Sequence, residues 1–353
     1  LSGSHFPHTA TESDSLLVIL VQFQDVQFTN PVATFDSLFS HPGYDSTGSF
    51  KDYYRDQSGG TFSPGVRVVG PVTMPQNKDY YNQTSWLGST ALDMVRLAIT
   101  QSDQQVDYSH YDNDNDGVVD AVLVFYAGER PNSRTQGLWP HMGTVTSAGA
   151  HDGKTFTTYA IFDEGSGGMP AIGTVCHEFG HCLGLPDLYD VAHNGTASEE
   201  GRTPMAFSLM ASGSHNSDGK LPPNLSVLEK SLLGWGAQFD TLQPGDSISL
   251  HAIGTANDRA WYLPIDGDEF YAFEVRSGAN HWDAGIGMGE GGLIVYHGKE
   301  SKLNTTSNSV INCTIGDEGW YVVDSRGDHW ANRTSVFGGA NPCSLTPMSL
   351  AKP

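Results

Sequence analysis

The chain has 353 residues, of which 40 are acidic and only 18 are Lys or Arg, giving a formal net charge of -22. A surface of that sign repels phosphate backbones, so nucleic acid is not expected as a partner. With 38% hydrophobic and 10% aromatic residues, the chain can bury a large core, which excludes a disordered segment and allows one large or two ordinary domains.

The longest apolar run, LLVILVQF at Leu16–Phe23, is too short to span a bilayer. Acidic Glu12 and Asp14 precede it and no basic leader does. It is therefore not a signal peptide, and any targeting segment is expected to have preceded Leu1. The run reads as a buried central strand. Asn30–Ser40 predicts a short helix opened by Pro31, and Phe50–Gln57 a second, closed by Gly59 and Gly60. Val66–Val69 predicts a strand. Ser89–Thr100 carries Leu92, Val95, Ala98 and Ile99 at helical spacing. Val118–Tyr126 predicts a further apolar strand, Thr155–Phe162 an edge strand, and Ala171–Leu183 a helix ending at Gly184.

This alternation predicts an α/β (α+β) layered domain with a mixed sheet over residues 1–240. From about Gln243 the pattern changes to short β-rich runs separated by Gly and Asn turns: Ala260–Pro264, Phe270–Val275, Gly292–His297 and Gly319–Val323. They predict a β-rich C-terminal part over residues 241–353, packed on the first domain.

The chemistry concentrates in CHEFGHCLGLPDLYD, Cys176–Asp190. His177 and His181 are four residues apart, which on a helix puts both imidazoles on one face within reach of one ion. Glu178 points toward the same cleft, where a general base must stand to take a proton from water. Zinc suits such a donor set, with three protein ligands and one position left open. Gly184 can turn the chain back so that Asp187 supplies the third ligand, with Asp190 a nearby second candidate. Downstream, FSLMASG contains Met210, and a Met-turn beneath the metal would complete a metzincin-like arrangement. A bare His-Glu-x-x-His arises by chance in roughly one chain in a hundred. Gly184, Asp187 and Met210 in register make chance, or a helix whose histidines merely hydrogen-bond, the poorer reading.

CHEFGHCLGLPDLYD resembles the zinc signature of immune inhibitor A-type metallopeptidases, His-Glu-x-x-His-x-x-Gly-x-x-Asp. The resemblance extends to LLVILVQFQDVQF, FKDYYRDQSGGTF, YDNDNDGVVDAVLVFYAG, LWPH at Leu138–His141, SLMASGS, EFYAFEVRSGANHWDAGI and GGLIVYH, so it covers about Leu16 to His297. It implies a secreted, broad-specificity protease, often released from an N-terminal propeptide. One departure stands out. Metzincin-like enzymes often place a Tyr shortly after the turn Met, and here Ser212 and His215 stand there, leaving the oxyanion-stabilising group unassigned.

Asp112-Asn-Asp-Asn-Asp-Gly-Val-Val-Asp120 spaces Asp112, Asp114, Asp116 and Asp120 like the start of a calcium loop, with Val118 offering its carbonyl. Position twelve is Leu123 and a strand follows, so this is not an EF-hand; the plainer alternative is a solvated acidic turn. Cys176 and Cys182 lie about 9 Å apart along one helix and cannot pair. Cys313 and Cys343 are expected to form a disulfide. His141 and His297 read as structural.

The function expected is a secreted, monomeric zinc endopeptidase that acts on protein or peptide substrates, with calcium as a second ion. One alternative is a non-catalytic, calcium-stabilised binding module derived from such an enzyme, against which the intact Glu178 argues. Another is a gluzincin-type hydrolase whose third ligand is Glu199, Glu200 or Glu229.

Overall fold

The computed structural model describes residues 6–83, 90–192, 200–236, 238–243, 245–254, 259–304, 311–326, 331–333 and 335–337. The chain divides into two compact units. One comprises Gly3–Arg55 and Gly60–Gly184, the other Asp56–Gly59 and Leu185–Pro353. No helix among the described residues is long and apolar enough to cross a membrane.

The first unit is mixed α/β. Its strands are β1 (Ser15–Gln22), β2 (Gly65–Thr73), β3 (Val118–Val119), β4 (Val122–Tyr126), β5 (His141–Thr144), β6 (Thr155–Phe156) and β7 (Thr158–Asp163). Its helices are α1 (Val32–Ser40), α2 (Phe50–Gln57), α3 (Lys78–Tyr81), α4 (Thr90–Ser102) and α5 (Ile172–Cys182). Five strands form one sheet in the order β2-β1-β4-β7-β5. All neighbours are parallel except β5, which runs antiparallel to β7 at the edge.

Strand β1 lies inside the sheet between β2 and β4 and Leu16–Val21 is fully buried, because parallel strands covered on both faces read as unbroken apolar runs. Alternate residues serve alternate faces. Leu17, Ile19 and Val21 join Met94, Val95, Ala98 and Ile99 of α4 in one core. On the other face, Phe125 of β4 meets Phe35 and Phe39 of α1 edge-to-face at 5.2 and 6.0 Å, and Phe39 and Phe50 extend that layer to α2.

Two expected strands are corrected. Val118–Tyr126 is two strands, not one. The Asp120 amide donates to the Tyr111 carbonyl, and its carboxylate accepts from the Asn113 amide and side chain, which takes Asp120 out of the ladder. Thr155–Phe162 is likewise divided, and β7 lies inside the sheet. The true edge is β5, four residues long with Gly143 in its middle, a composition that reads as a turn.

The second unit carries α6 (Val227–Leu233), β8 (Gln238–Thr241), β9 (Arg259–Asp266), β10 (Glu269–Arg276), β11 (Gly292–Lys299), α7 (Glu300–Leu303) and β12 (Trp320–Val322). Its five-stranded sheet has the order β12-β11-β10-β9-β8. Arg276 at the end of β10 is wholly buried. It donates to the Glu274 carboxylate at 2.6 Å, the Asp283 carboxylate at 2.9 Å, and the carbonyls of Asn224 and Phe207 at 2.8 and 2.9 Å. Cys343 lies outside the described residues, and with it the expected disulfide; Glu199 does too.

Removing Arg276 would leave two buried carboxylates without their counter-ion, a change that costs roughly 3–5 kcal/mol. Arg276→Met should therefore lower the unfolding free energy by about that amount in a urea titration. A loss below about 1 kcal/mol, the range of exposed pairs, would show that this network does not hold the second sheet.

Candidate metal centre

Helix α5 has no side-chain cap at Ala171 and ends where Gly184 takes the left-handed conformation at φ 91°. That conformation suits glycine, which has no Cβ to clash. Packing, not capping, holds this helix. Phe179 on its back sits among Phe6, Phe50, Tyr54 and Phe62 at centroid distances of 5.1–6.0 Å. The Tyr54 hydroxyl donates to the Cys176 carbonyl at 2.6 Å. Strands β5 and β7 pack on the helix as well.

The other side of the helix gathers the predicted donors. The His177 and His181 rings lie 4.9 Å apart, 85° between planes. Ligand-capable atoms of His177, Glu178 and His181 all lie within 4.8 Å of one another. Each residue is 8% exposed, shielded by protein but still reached by solvent. The flanking thiols of Cys176 and Cys182 are fully buried, and burial pushes both up from the ordinary cysteine range. Both therefore stay protonated and are poor metal ligands. The donors present, two imidazoles and a carboxylate converging on one helix face, fit a zinc-type ion.

Strand β5, which the sequence did not reveal, completes the surroundings of Glu178. The Met142 amide donates to Glu178 Oε2 at 2.9 Å. Next to it, His141 is locked at both nitrogens. Nδ1 lies 2.6 Å from the Trp139 carbonyl and Nε2 2.9 Å from the Tyr159 hydroxyl. A carbonyl only accepts, so Nδ1 carries the proton and Nε2 accepts from Tyr159. Burial pushes the His141 pKa down, against smaller opposing effects of Trp139 and Glu178, so the ring is held neutral. Gly143 pairs with Tyr159, and a Cβ there would stand 2.8 Å from the Tyr159 hydroxyl oxygen. Glycine is what lets that ring lie across the strand.

Asp187, Asp190 and Met210 belong to the second unit. There the Leu188 amide donates to the Met210 carbonyl at 2.8 Å, joining the segment after Asp187 to the methionine turn. The Met210 amide lies 3.0 Å from Glu229 Oε1, which also accepts from the Ser208 hydroxyl at 2.7 Å. Glu229 Oε2 accepts from the Ser226 amide, forming the capping box of α6. Both Glu229 oxygens are thus engaged, one on this turn and one on the cap of α6, which removes the support for Glu229 as a ligand. Ser226-x-x-Glu229 was visible as a capping signature. Asp190 accepts from the Ala192 and Gly201 amides, a loop-holding role that weakens it as the alternative to Asp187. Ser212 and His215 lie on a short 3-10 turn after Met210.

In the acidic loop of the first unit, Asp112, Asp114 and Asp116 bring carboxylate oxygens within 4.8 Å of one another. Asp120 is outside that group and is tied to Asn113 instead. Burial, aided by Asp114 and Asp112, pushes Asp120 up to about 7. Asp112 also holds the ammonium of Lys154 at 2.5 Å and the amides of Asp116 and Gly117 at 3.0 Å. Val118 pairs with Thr155.

A helix carrying His-Glu-x-x-His is the signature of metal-dependent peptidases. The chain belongs to the immune inhibitor A peptidase M6 family, whose catalytic-domain model matches residues 6–234. It is 28% identical over 257 residues to the pre-pro-metalloprotease PrtV of Vibrio cholerae serotype O1. It is 26% identical over 254 residues to immune inhibitor A of Bacillus thuringiensis subsp. alesti. Each alignment covers 57% of this chain, but only 27% and 36% of those relatives' own lengths.

Tyr159→Phe should leave His141 Nε2 buried without its donor and cost about 1–3 kcal/mol of stability. Thermal unfolding and the imidazole nitrogen shifts together check this. An unchanged melting temperature with unchanged His141 shifts would show that the pair does not lock β5.

Proposed function

We propose that this chain is a secreted zinc endopeptidase with His177, His181 and Asp187 as metal ligands and Glu178 as general base. The convergence of His177, Glu178 and His181 on one buried helix face carries the reading. Zinc held there would polarise the scissile carbonyl and acidify water enough for attack near neutral pH. Glu178 accepts the proton of the attacking water and passes it to the leaving amine. The Met142 amide fixes the carboxylate in that orientation. Strand β5, as the sheet edge, offers a peptide substrate a ladder to extend. Met210 backs the metal as a metzincin-like turn. Residues 1–240 form the catalytic domain and 241–353 a β-rich part packed on it. The chain acts as a monomer.

Loss of the base and loss of a ligand separate in experiment. Glu178→Ala should keep its zinc while casein cleavage falls by roughly 10²–10⁴-fold. Asp187→Ala and His181→Ala should lose zinc itself, read by atomic spectroscopy. If Glu178→Ala cleaves as well as the parent, the mechanism is wrong. If Asp187→Ala keeps full zinc and activity, the third ligand is another residue.

We also propose calcium at the acidic loop, held by Asp112, Asp114 and Asp116 and completed by the Val118 carbonyl and Asp120. The support is the convergence of three carboxylates. The ion has to displace Lys154 from Asp112 and draw in Asp120. Calcium should raise the melting temperature of the parent, since it binds only the folded loop, and should not raise that of Asp114→Ala/Asp116→Ala. Equal melting of parent and variant in calcium and in chelator would refute the site.

A further inference from the structure

The first described residues fasten onto the back of helix α5. Phe6 is 2% exposed and packs edge-to-face on Phe62 at 5.7 Å and Phe179 at 5.5 Å. His8 Nε2 lies 2.8 Å from the Leu183 carbonyl, 175 residues away in sequence. A carbonyl only accepts, so Nε2 carries the proton and donates it. Ala10 then bridges to Phe62. Its amide donates to the Thr61 carbonyl at 3.1 Å, and its carbonyl accepts from Ser63 at 2.7 Å. Five residues thus carry three separate attachments.

The Leu183 carbonyl is a telling place to attach. The last carbonyls of a helix have no partner within it. At this end the amides of Leu183 and Gly184 take the carbonyls of Phe179 and His181, and the Leu183 carbonyl is taken by His8. The bond fixes the peptide just before the left-handed Gly184 and two residues beyond His181. His181 stands in the last turn of α5, where helices fray. Phe6 braces the same turn from behind through Phe179, which sits between Glu178 and His181 in sequence.

We propose that residues 6–10 are a strap that holds the last turn of α5 closed, with His8 a positioning residue for metal binding through His181. The proposal rests on the zinc reading of the site. His8 acts through the helix end it holds, by suppressing the frayed conformations in which His181 is out of place.

The test uses the full chain in four forms: parent, His8→Ala, His8→Gln and Phe6→Leu. The zinc dissociation constant is measured by competition with a chromophoric chelator, beside the melting temperatures of zinc-loaded and zinc-stripped protein. His8→Ala should weaken zinc about tenfold, the lower end for residues that act through a ligand. His8→Gln should restore most of the affinity, because its amide can donate to the same carbonyl. Phe6→Leu should fall between. A merely structural strap would lower both melting temperatures alike and leave the dissociation constant at the parent value, which would overturn the proposal. If His8→Ala does not fold, Phe6→Leu decides: parent affinity refutes the strap and weakened affinity supports it. A parent that binds no zinc overturns the metal reading itself, a result distinct from a parent that binds zinc and variants that match it.

Discussion

A helix that turns three polar side chains toward a cleft gains nothing from that face, so its position must be set by the opposite one. Helix α5 meets this constraint with aromatic packing. Phe179 is surrounded by Phe6, Phe50, Tyr54 and Phe62, and the Tyr54 hydroxyl seizes a backbone carbonyl in the middle of the helix. Burying one such ring contributes roughly 1.5–3 kcal/mol, enough for a cluster of five to keep eleven residues in one register. With the helix immobile, the i, i+4 rule does the rest, and His177 and His181 meet ring to ring at 4.9 Å.

The electrostatic design is sparse. Glu178 is anchored by one amide, from Met142, and a charge-assisted bond of that kind contributes about 1.5–3 kcal/mol. The neighbouring His141 is kept neutral by burial, which outweighs the opposing effects of Trp139 and Glu178, so it brings no second cation to the cleft. Tyr159 and Gly143 shape the strand that presents the amide. In the second unit the same economy recurs. Glu229 fixes the Met210 turn with one oxygen and caps α6 with the other, and Arg276 binds four groups from β10 outward.

Much of this was legible in the sequence where a period announces it. LLVILVQF could only be a covered strand, and the spacing of Leu92, Val95, Ala98 and Ile99 marked α4. CHEFGHC marked the helix face on which His177, Glu178 and His181 converge. Other features depend on partners far along the chain. Strand β5 is four residues with a glycine in the middle, and only pairing with β7 makes it a strand. The break at Asp120 follows from a hydrogen bond to Asn113 that no periodicity encodes. Glu229 stood among the candidates of the gluzincin-type alternative because its carboxylate was visible and its partners Ser208 and Met210 were not. The strap at Phe6 and His8 spans the whole first unit in sequence and leaves no local trace.

The central claim is that two imidazoles of α5 and one carboxylate hold a zinc ion. A zinc-edge X-ray absorption spectrum of the purified chain tests it most directly. The account predicts one zinc per chain with two imidazole scatterers at roughly 2.0–2.1 Å, oxygen completing the shell and no sulfur at about 2.3 Å. A sulfur shell, a single imidazole, or a chain that retains no zinc after purification would contradict it.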